Sequence, residues 1–235
     1  MTVVQPGRMP DPSAQLAPMI DHTLLKPGAT REELVKLCEE ARRHGFATVC
    51  VSPENVAPCA HLLEGSGTRP ISVVGFPSGT EATATKVAET RAAIAAGAAE
   101  IDMVLHRGRL TEKDYAYVER DIREVVEAAR PRPVKVILET GALSRDEKVI
   151  ACALAKAAGA AFVKTSTGFG PGGATAEDVA LMRQIVGDDV GVKASGGVRT
   201  AADARRMVEA GANRLGASAS VAIVTELGSP HVGKS

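Results

Sequence analysis

Eight short apolar runs, at residues 18–23, 47–52, 71–76, 99–105, 134–140, 160–165, 190–195 and 213–217, punctuate this chain. Their length and β-branched content predict strands, and they are too apolar to keep one face in water. Between them, apolar positions recur at helical spacing. Thr30 and Glu33 have capping-box spacing ahead of Leu34, Val35, Leu37 and Cys38, and this helix should stop near His44 and Gly45. Further helices are expected over 80–96, 111–130, 144–158 and 200–210, ended by Gly97, Pro131, Gly159 and Gly211, and another begins near Thr175. The recurrent Ala-Gly-Ala at 96–98, 158–160 and 210–212 marks helices turning tightly into buried strands, which is architecture and not chemistry.

Strand-plus-helix units in this number predict a parallel sheet covered by helices, and eight strands close it into a single-domain (β/α)8 TIM barrel. An open doubly wound sheet is the alternative, but no G-x-G-x-x-G turn follows the first strand. The expected layout is a loose tail at 1–15, the barrel over 16–227 and a C-terminal tail at 228–235.

Composition narrows the function. A chain of 235 residues that is 45% hydrophobic can bury a large core, and 28 basic against 28 acidic residues leave no global field for nucleic acid or membrane. An anionic ligand must then be held by local groups. Two Tyr, four Phe and no Trp give few platforms for stacking bases, which also argues against nucleic acid. Cys38, Cys50, Cys59 and Cys152 lack metal-ligand spacing, and there is neither a signal-peptide pattern nor an apolar run of about 20 residues. The expectation is a reduced, cytoplasmic protein. Five scattered histidines without H-x-H or H-E-x-x-H argue against metal catalysis, and no cofactor is expected.

In a barrel, chemistry collects where strands end. The polar residues there are Asp21, His22, Cys50, Ser52, Asp102, Glu139, Thr140, Lys164 and Lys193. Lys164 interrupts an apolar run that breaks into Gly168-Phe169-Gly170-Pro171-Gly172-Gly173, and Lys193 repeats the design ahead of Gly196-Gly197. Period-two alternation puts Phe162 and Lys164 on one face of their strand, and Gly191 and Lys193 on one face of the next. If both faces point inward with the amines roughly 5 Å apart, repulsion at an effective dielectric of about 20 is about 3 kcal/mol, roughly two pKa units. Desolvation lowers the pKa further. A lysine in that setting holds free amine near neutral pH, the usual route to a Schiff base. Asp102, inward if Ile101 and Met103 pack outward, is placed to keep one amine charged and to relay protons. Spacing alone does not say which lysine is the nucleophile. The turns Gly196-Gly197-Val198-Arg199-Thr200 and Gly216-Ala217-Ser218 have the glycine content and helix-start position of a phosphate site.

Six ordered segments carry a resemblance: Ile20-Asp21-His22-Thr23, Gly75-Phe76-Pro77-Ser78-Gly79, Glu100-Ile101-Asp102-Met103-Val104, Phe162-Val163-Lys164-Thr165-Ser166-Thr167-Gly168, Lys193-Ala194-Ser195-Gly196-Gly197-Val198-Arg199 and Arg214-Leu215-Gly216-Ala217-Ser218. Over roughly 16–225 the chain resembles the deoxyribose-phosphate aldolases, class I aldolases of (β/α)8 fold. The resemblance implies metal-free, reversible cleavage of 2-deoxy-D-ribose 5-phosphate to D-glyceraldehyde 3-phosphate and acetaldehyde, in deoxyribose catabolism. It also implies Lys164 as the Schiff-base lysine, Lys193 as the cation that lowers its pKa, and Asp102 as the proton-transfer residue. Phosphate binding would fall to Gly196, Gly197, Val198, Arg199, Gly216 and Ser218. Some family members end in a tyrosine that assists proton transfer, whereas this chain ends Gly-Lys-Ser and holds tyrosine only at Tyr115 and Tyr117. Water or another group would then serve that step.

Blander readings stand beside these. Lys135, with Glu100 as partner, reads as a structural ion pair. Asp21 either contacts a substrate hydroxyl, orients the site or holds a loop, and His22 reads as a packing residue. Cys50 reads as a small buried hydrophobe near the mouth, alkylated only if a reactive aldehyde reaches it. Thr167 and Gly168 are expected to touch substrate, while Thr165 and Ser166 shape the turn. The 170–173 run is either a flap or a linker. Two rival functions remain at this stage: a phosphosugar isomerase or epimerase using carboxylate acid and base, and a phosphosugar-binding barrel without turnover. A homo-oligomer is expected, with no interface legible.

Overall fold

Alternation along each strand sorts the side chains into an outer and an inner set. Val49 and Val51 of β2, Ile101 and Met103 of β4, Val134 and Val136 of β5, Val163 of β6 and Val192 and Ala194 of β7 all join one large core beneath the helices. Their neighbours in sequence point the other way, into a lumen. The computed structural model describes residues 16–228; the expected tails lie outside the described residues, apart from Gly228 at the end of the last helix.

In chain order the elements are β1 (Ile20–Leu24), α1 (Arg31–His44), β2 (Thr48–Val51), α2 (Val56–Leu62), β3 (Arg69–Val74), α3 (Thr83–Ala95), β4 (Ile101–Val104), α4 (Arg107–Thr111), α5 (Tyr115–Ala129), β5 (Val134–Ile137), α6 (Arg145–Ala157), β6 (Phe162–Lys164), α7 (Ala176–Val186), β7 (Gly191–Ser195), α8 (Ala201–Glu209), β8 (Arg214–Ala217) and α9 (Ser220–Gly228). Every neighbouring pair of strands is parallel, and β8 returns to β1, so the sheet is a closed (β/α)8 barrel. Reciprocal capping boxes start α1 at Thr30 with Glu33, α6 at Ser144 with Glu147, and α8 at Thr200 with Asp203.

Most expected boundaries shift by one to three residues, and two changes have a clear backbone cause. The helix expected over 111–130 is two, because Lys113 takes a left-handed φ of 62° and Asp114 caps α5 with a bond from the Tyr117 N–H. The strand expected over 134–140 stops at Ile137 because Glu139 adopts φ 61° and ψ 59°, which a strand cannot contain.

Barrel closure depends on side-chain size in the lumen. Gly191 faces Phe162 across the β6–β7 register, and a Cβ there would lie 2.2 Å from the Phe162 ring. Only glycine lets β7 approach β6 at this level.

Candidate active site

Six strands send charged side chains into the lumen. Lys164 and Lys193 are register partners on β6 and β7, and both donate to the same oxygen, Asp102 Oδ2, at 2.8 and 2.7 Å. Lys135 of β5 donates to the other oxygen, Oδ1, at 2.8 Å and also pairs with Glu100. Asp21 of β1 accepts from Thr48 at 2.6 Å and pairs with Lys193 at 2.5 Å and with Arg214 Nε at 3.0 Å, while Arg214 of β8 reaches Glu100 through its Nη2. Asp21, Asp102, Lys135 and Lys193 are wholly buried, and Lys164 is nearly so.

Seven ionisable side chains are thus joined by ion pairs: four bases (Lys135, Lys164, Lys193, Arg214) and three acids (Asp21, Glu100, Asp102). With every group charged, the buried assembly carries one surplus positive charge, and a low-dielectric interior resists that. Burial works against ionisation of Asp102, but Lys135, Lys164 and Lys193 together hold its carboxyl well below the usual carboxylate range. Against the same burial, Asp102 and Asp21 hold Lys193 above the ordinary lysine range, Asp102 and Glu100 do so for Lys135, and Asp21 and Glu100 keep Arg214 charged. Lys164 alone among these bases moves down: burial pushes it, Asp102 opposes, and Lys193 adds to the fall. Of the four bases, Lys164 is therefore the one whose proton is held least tightly.

This changes the physical account from the one the sequence suggests. Repulsion between two lysines is a contributor, but burial is the larger cause, and Asp102 bonds both amines and not one. Lys135, expected as a bystander paired with Glu100, does pair with Glu100 and is also the partner of Asp102. Arg214 stands in one of the segments that carry the resemblance, but sequence reasoning assigned it no role. Its inward position on the last strand, two residues before Gly216, was the signal available.

The remaining expected residues fall in several places. Asp21 is sealed inside the ion network. Thr167 donates its N–H and hydroxyl to Glu139 Oε2, and Gly168, exposed, follows it with φ 88°. Thr165 exchanges two hydrogen bonds with Ser195, which ties the ends of β6 and β7 together beside the lysine pair. The 170–173 run is packed on both sides: a Cβ at Gly141 would lie 2.1 Å from the Pro171 carbonyl oxygen, and one at Gly173 would lie 2.5 Å from that of Gly196. His22 faces outward, between Ser220 and Glu40. Cys50 faces the lumen, where burial and then Asp102 push its thiol up and make it a poor nucleophile. Tyr117 lies in the outer layer, within cation–π distance of Arg109 and Arg120.

Gly196 and Gly197 hold positive φ, 86° and 77°, in the turn after β7. The first amides of α8 are already engaged, Thr200 N–H with Asp203 and Ala201 N–H with Glu226. Arg199 donates its own amide to Asp203 and leaves its side chain exposed, as is Ser218 after β8. No helix among the described residues is long and apolar enough to cross a membrane.

A closed parallel barrel with a buried lysine at the carboxyl end of a strand, set against a carboxylate and a second lysine, has the make-up of a (β/α)8 aldolase. Residues 16–226 match the DeoC/LacD family aldolase, and the chain belongs to that family. It is 57% identical to a deoxyribose-phosphate aldolase of Clostridium perfringens over 210 residues, covering 89% of this chain and 94% of the relative. A deoxyribose-phosphate aldolase of Caldanaerobacter subterraneus is 56% identical over 214 residues, covering 90% and 93%. Among solved structures, the tetrameric deoxyribose phosphate aldolase of Aeropyrum pernix superposes with a TM-score of 0.85 at 34% identity, covering 91% of each chain.

Proposed function

We propose that the protein reversibly cleaves 2-deoxy-D-ribose 5-phosphate to D-glyceraldehyde 3-phosphate and acetaldehyde, with Lys164 as the Schiff-base nucleophile. The observation that carries this is the pairing in the lumen: four bases meet three acids, and among the described residues Lys164, at the carboxyl end of β6, pairs with Asp102 alone while Lys193 pairs with both Asp102 and Asp21. Burial also pushes the Lys164 amine down. A neutral amine at the carboxyl end of β6 can add to an aldehyde carbonyl to give a carbinolamine, whose hydroxyl leaves as water on taking a proton relayed from Lys193 through Asp102, and the resulting iminium withdraws electrons from the neighbouring carbon. Asp102 then takes a proton from that carbon, and the enamine attacks the acceptor aldehyde; cleavage runs the steps in reverse. Lys193, 2.7 Å from the oxygen that also meets Lys164, returns or receives that proton through Asp102. Asp21 serves by holding Lys193 in place. Thr167 and Gly168 bound the substrate beside Lys164.

Phosphate is assigned to the turn amides of Gly196, Gly197 and Val198, with Gly216, Ser218 and the exposed Arg199 side chain completing the site. Because Asp203 and Glu226 engage the first amides of α8, the turn and not the helix end supplies the donors. By analogy with the tetrameric relative, the functional unit is a homo-oligomer. Neither nucleic acid nor membrane is a partner, and the reaction is cytoplasmic.

The test is reductive trapping. Acetaldehyde with borohydride should leave a two-carbon adduct on Lys164 in a peptide digest, and Lys164→Met should abolish it; an adduct on Lys193 or none at all would refute the assignment.

A further inference from the structure

Polarity divides the lumen. Cys50 of β2 and Ile71 and Val73 of β3 alternate with outward residues, and with Leu25 they form an apolar cluster separate from the main core, on which Phe76 packs. The ion network fills the opposite side. Phe169, in the loop between β6 and α7, is 53% accessible and is the one large exposed hydrophobic among the described residues. Its ring meets that of Phe76 edge-on, with centroids 5.4 Å apart. Since β3 and β6 are separated by two strands in a closed ring of eight, this contact between loops leaving their carboxyl ends spans part of the mouth.

An exposed phenyl ring on a glycine-rich loop needs something to hold it. Glu139, in a left-handed conformation just past β5, buries its side chain under that loop and accepts from the Thr167 N–H at 3.3 Å and from the Thr167 hydroxyl. Thr167 Oγ1 in turn accepts from the Phe169 N–H at 3.0 Å. A Cβ at Gly170 would lie 2.6 Å from Glu139 Cδ, so the loop lies on this carboxylate because position 170 has no side chain. The relay runs from Glu139 through Thr167 to the backbone that carries the ring.

We propose that Phe169 is a specificity-determining residue: paired with Phe76 and fixed through Thr167 by Glu139, it roofs the apolar β2–β3 side of the lumen and disfavours any aldehyde donor on Lys164 longer than two carbons. The inference rests on Lys164 carrying the donor and on the phosphate lying toward the turns after β7 and β8. The acceptor chain then extends toward β7 and β8, and the β2–β3 side is left to the donor. One further methylene must displace an aromatic ring.

The experiment compares kcat/KM for propanal and acetaldehyde as donors toward the same acceptor, D-glyceraldehyde 3-phosphate, in the wild type, Phe169→Ala and Thr167→Val. The propanal-to-acetaldehyde ratio should rise about tenfold or more in Phe169→Ala, the scale on which an apolar pocket discriminates one methylene. It should rise in Thr167→Val also, because the relay loses its hydroxyl. A merely structural role would lower both donors together, and an unchanged ratio in Phe169→Ala overturns the proposal. Borohydride trapping of wild-type enzyme with acetaldehyde, run alongside, tests the Lys164 reading by itself: failure to label Lys164 refutes that reading, whereas labelled Lys164 with an unchanged ratio refutes only the roof.

Discussion

Lys164 and Lys193 stand in register on adjacent strands, and their amines meet on a single carboxylate oxygen, Asp102 Oδ2. Two lysines that share one carboxylate oxygen cannot both be satisfied as ammonium ions without a further negative charge nearby, the more so because Lys135 draws on the same carboxylate. Asp21 supplies it to Lys193, and no other carboxylate pairs with Lys164 among the described residues. The asymmetry between two chemically identical groups originates on β1, far away in sequence.

Replacing Lys193 with Met leaves three bases against three acids, so Lys164 becomes the counter-ion Asp102 needs. Its pKa should rise by about one unit or more, the usual effect of a close charge. The amine must be neutral to react, so the acidic limb of the kcat/KM profile should shift to higher pH, with a large loss of rate at neutral pH. A profile displaced to lower pH would contradict the charge count.

Glu100→Gln works in the opposite direction. It removes an acid and leaves two surplus cations, so the same limb should move to lower pH, while Lys135→Met should move it up. Truncating one partner of a buried pair also costs about 3–5 kcal/mol, so both variants should unfold at lower denaturant concentration. Opposite pH displacements accompanied by like-signed stability losses separate electrostatic tuning from general damage.

Gly191→Ala should destabilise the barrel, because the new methyl would sit 2.2 Å from the Phe162 ring. Overpacking of this kind costs about 1–3 kcal/mol. Combining it with Phe162→Leu should cost less than the sum of the two single variants, which equilibrium denaturation of all four proteins would reveal.

Ser218→Glu should weaken deoxyribose 5-phosphate far more than unphosphorylated deoxyribose, since a carboxylate beside the turn amides repels only the charged substrate. The comparison is the ratio of the two kcat/KM values in variant and wild type. Equal losses would move the phosphate elsewhere.

Much of the fold was legible along the chain because the signals are local. The lengths of the apolar runs, the Thr30 and Glu33 cap and the glycines that follow several helices each act over a few residues, and together they predicted eight strands, a number that favours a closed ring over an open sheet. Alternation paired Lys164 with Phe162 and Lys193 with Gly191 on one face of each strand, and closure of the barrel set those faces, and that of Asp102, inward. Boundaries were lost where a residue without special sequence character took a left-handed backbone, at Lys113 and Glu139. The sum of charges in the lumen, and the crossing of the mouth by Phe76 and Phe169, were decided only when the barrel closed. A pKa reflects every charge within reach and a ring contact reflects which strands lie across the mouth. Both depend on residues brought together from opposite ends of the chain, and no local pattern encodes them.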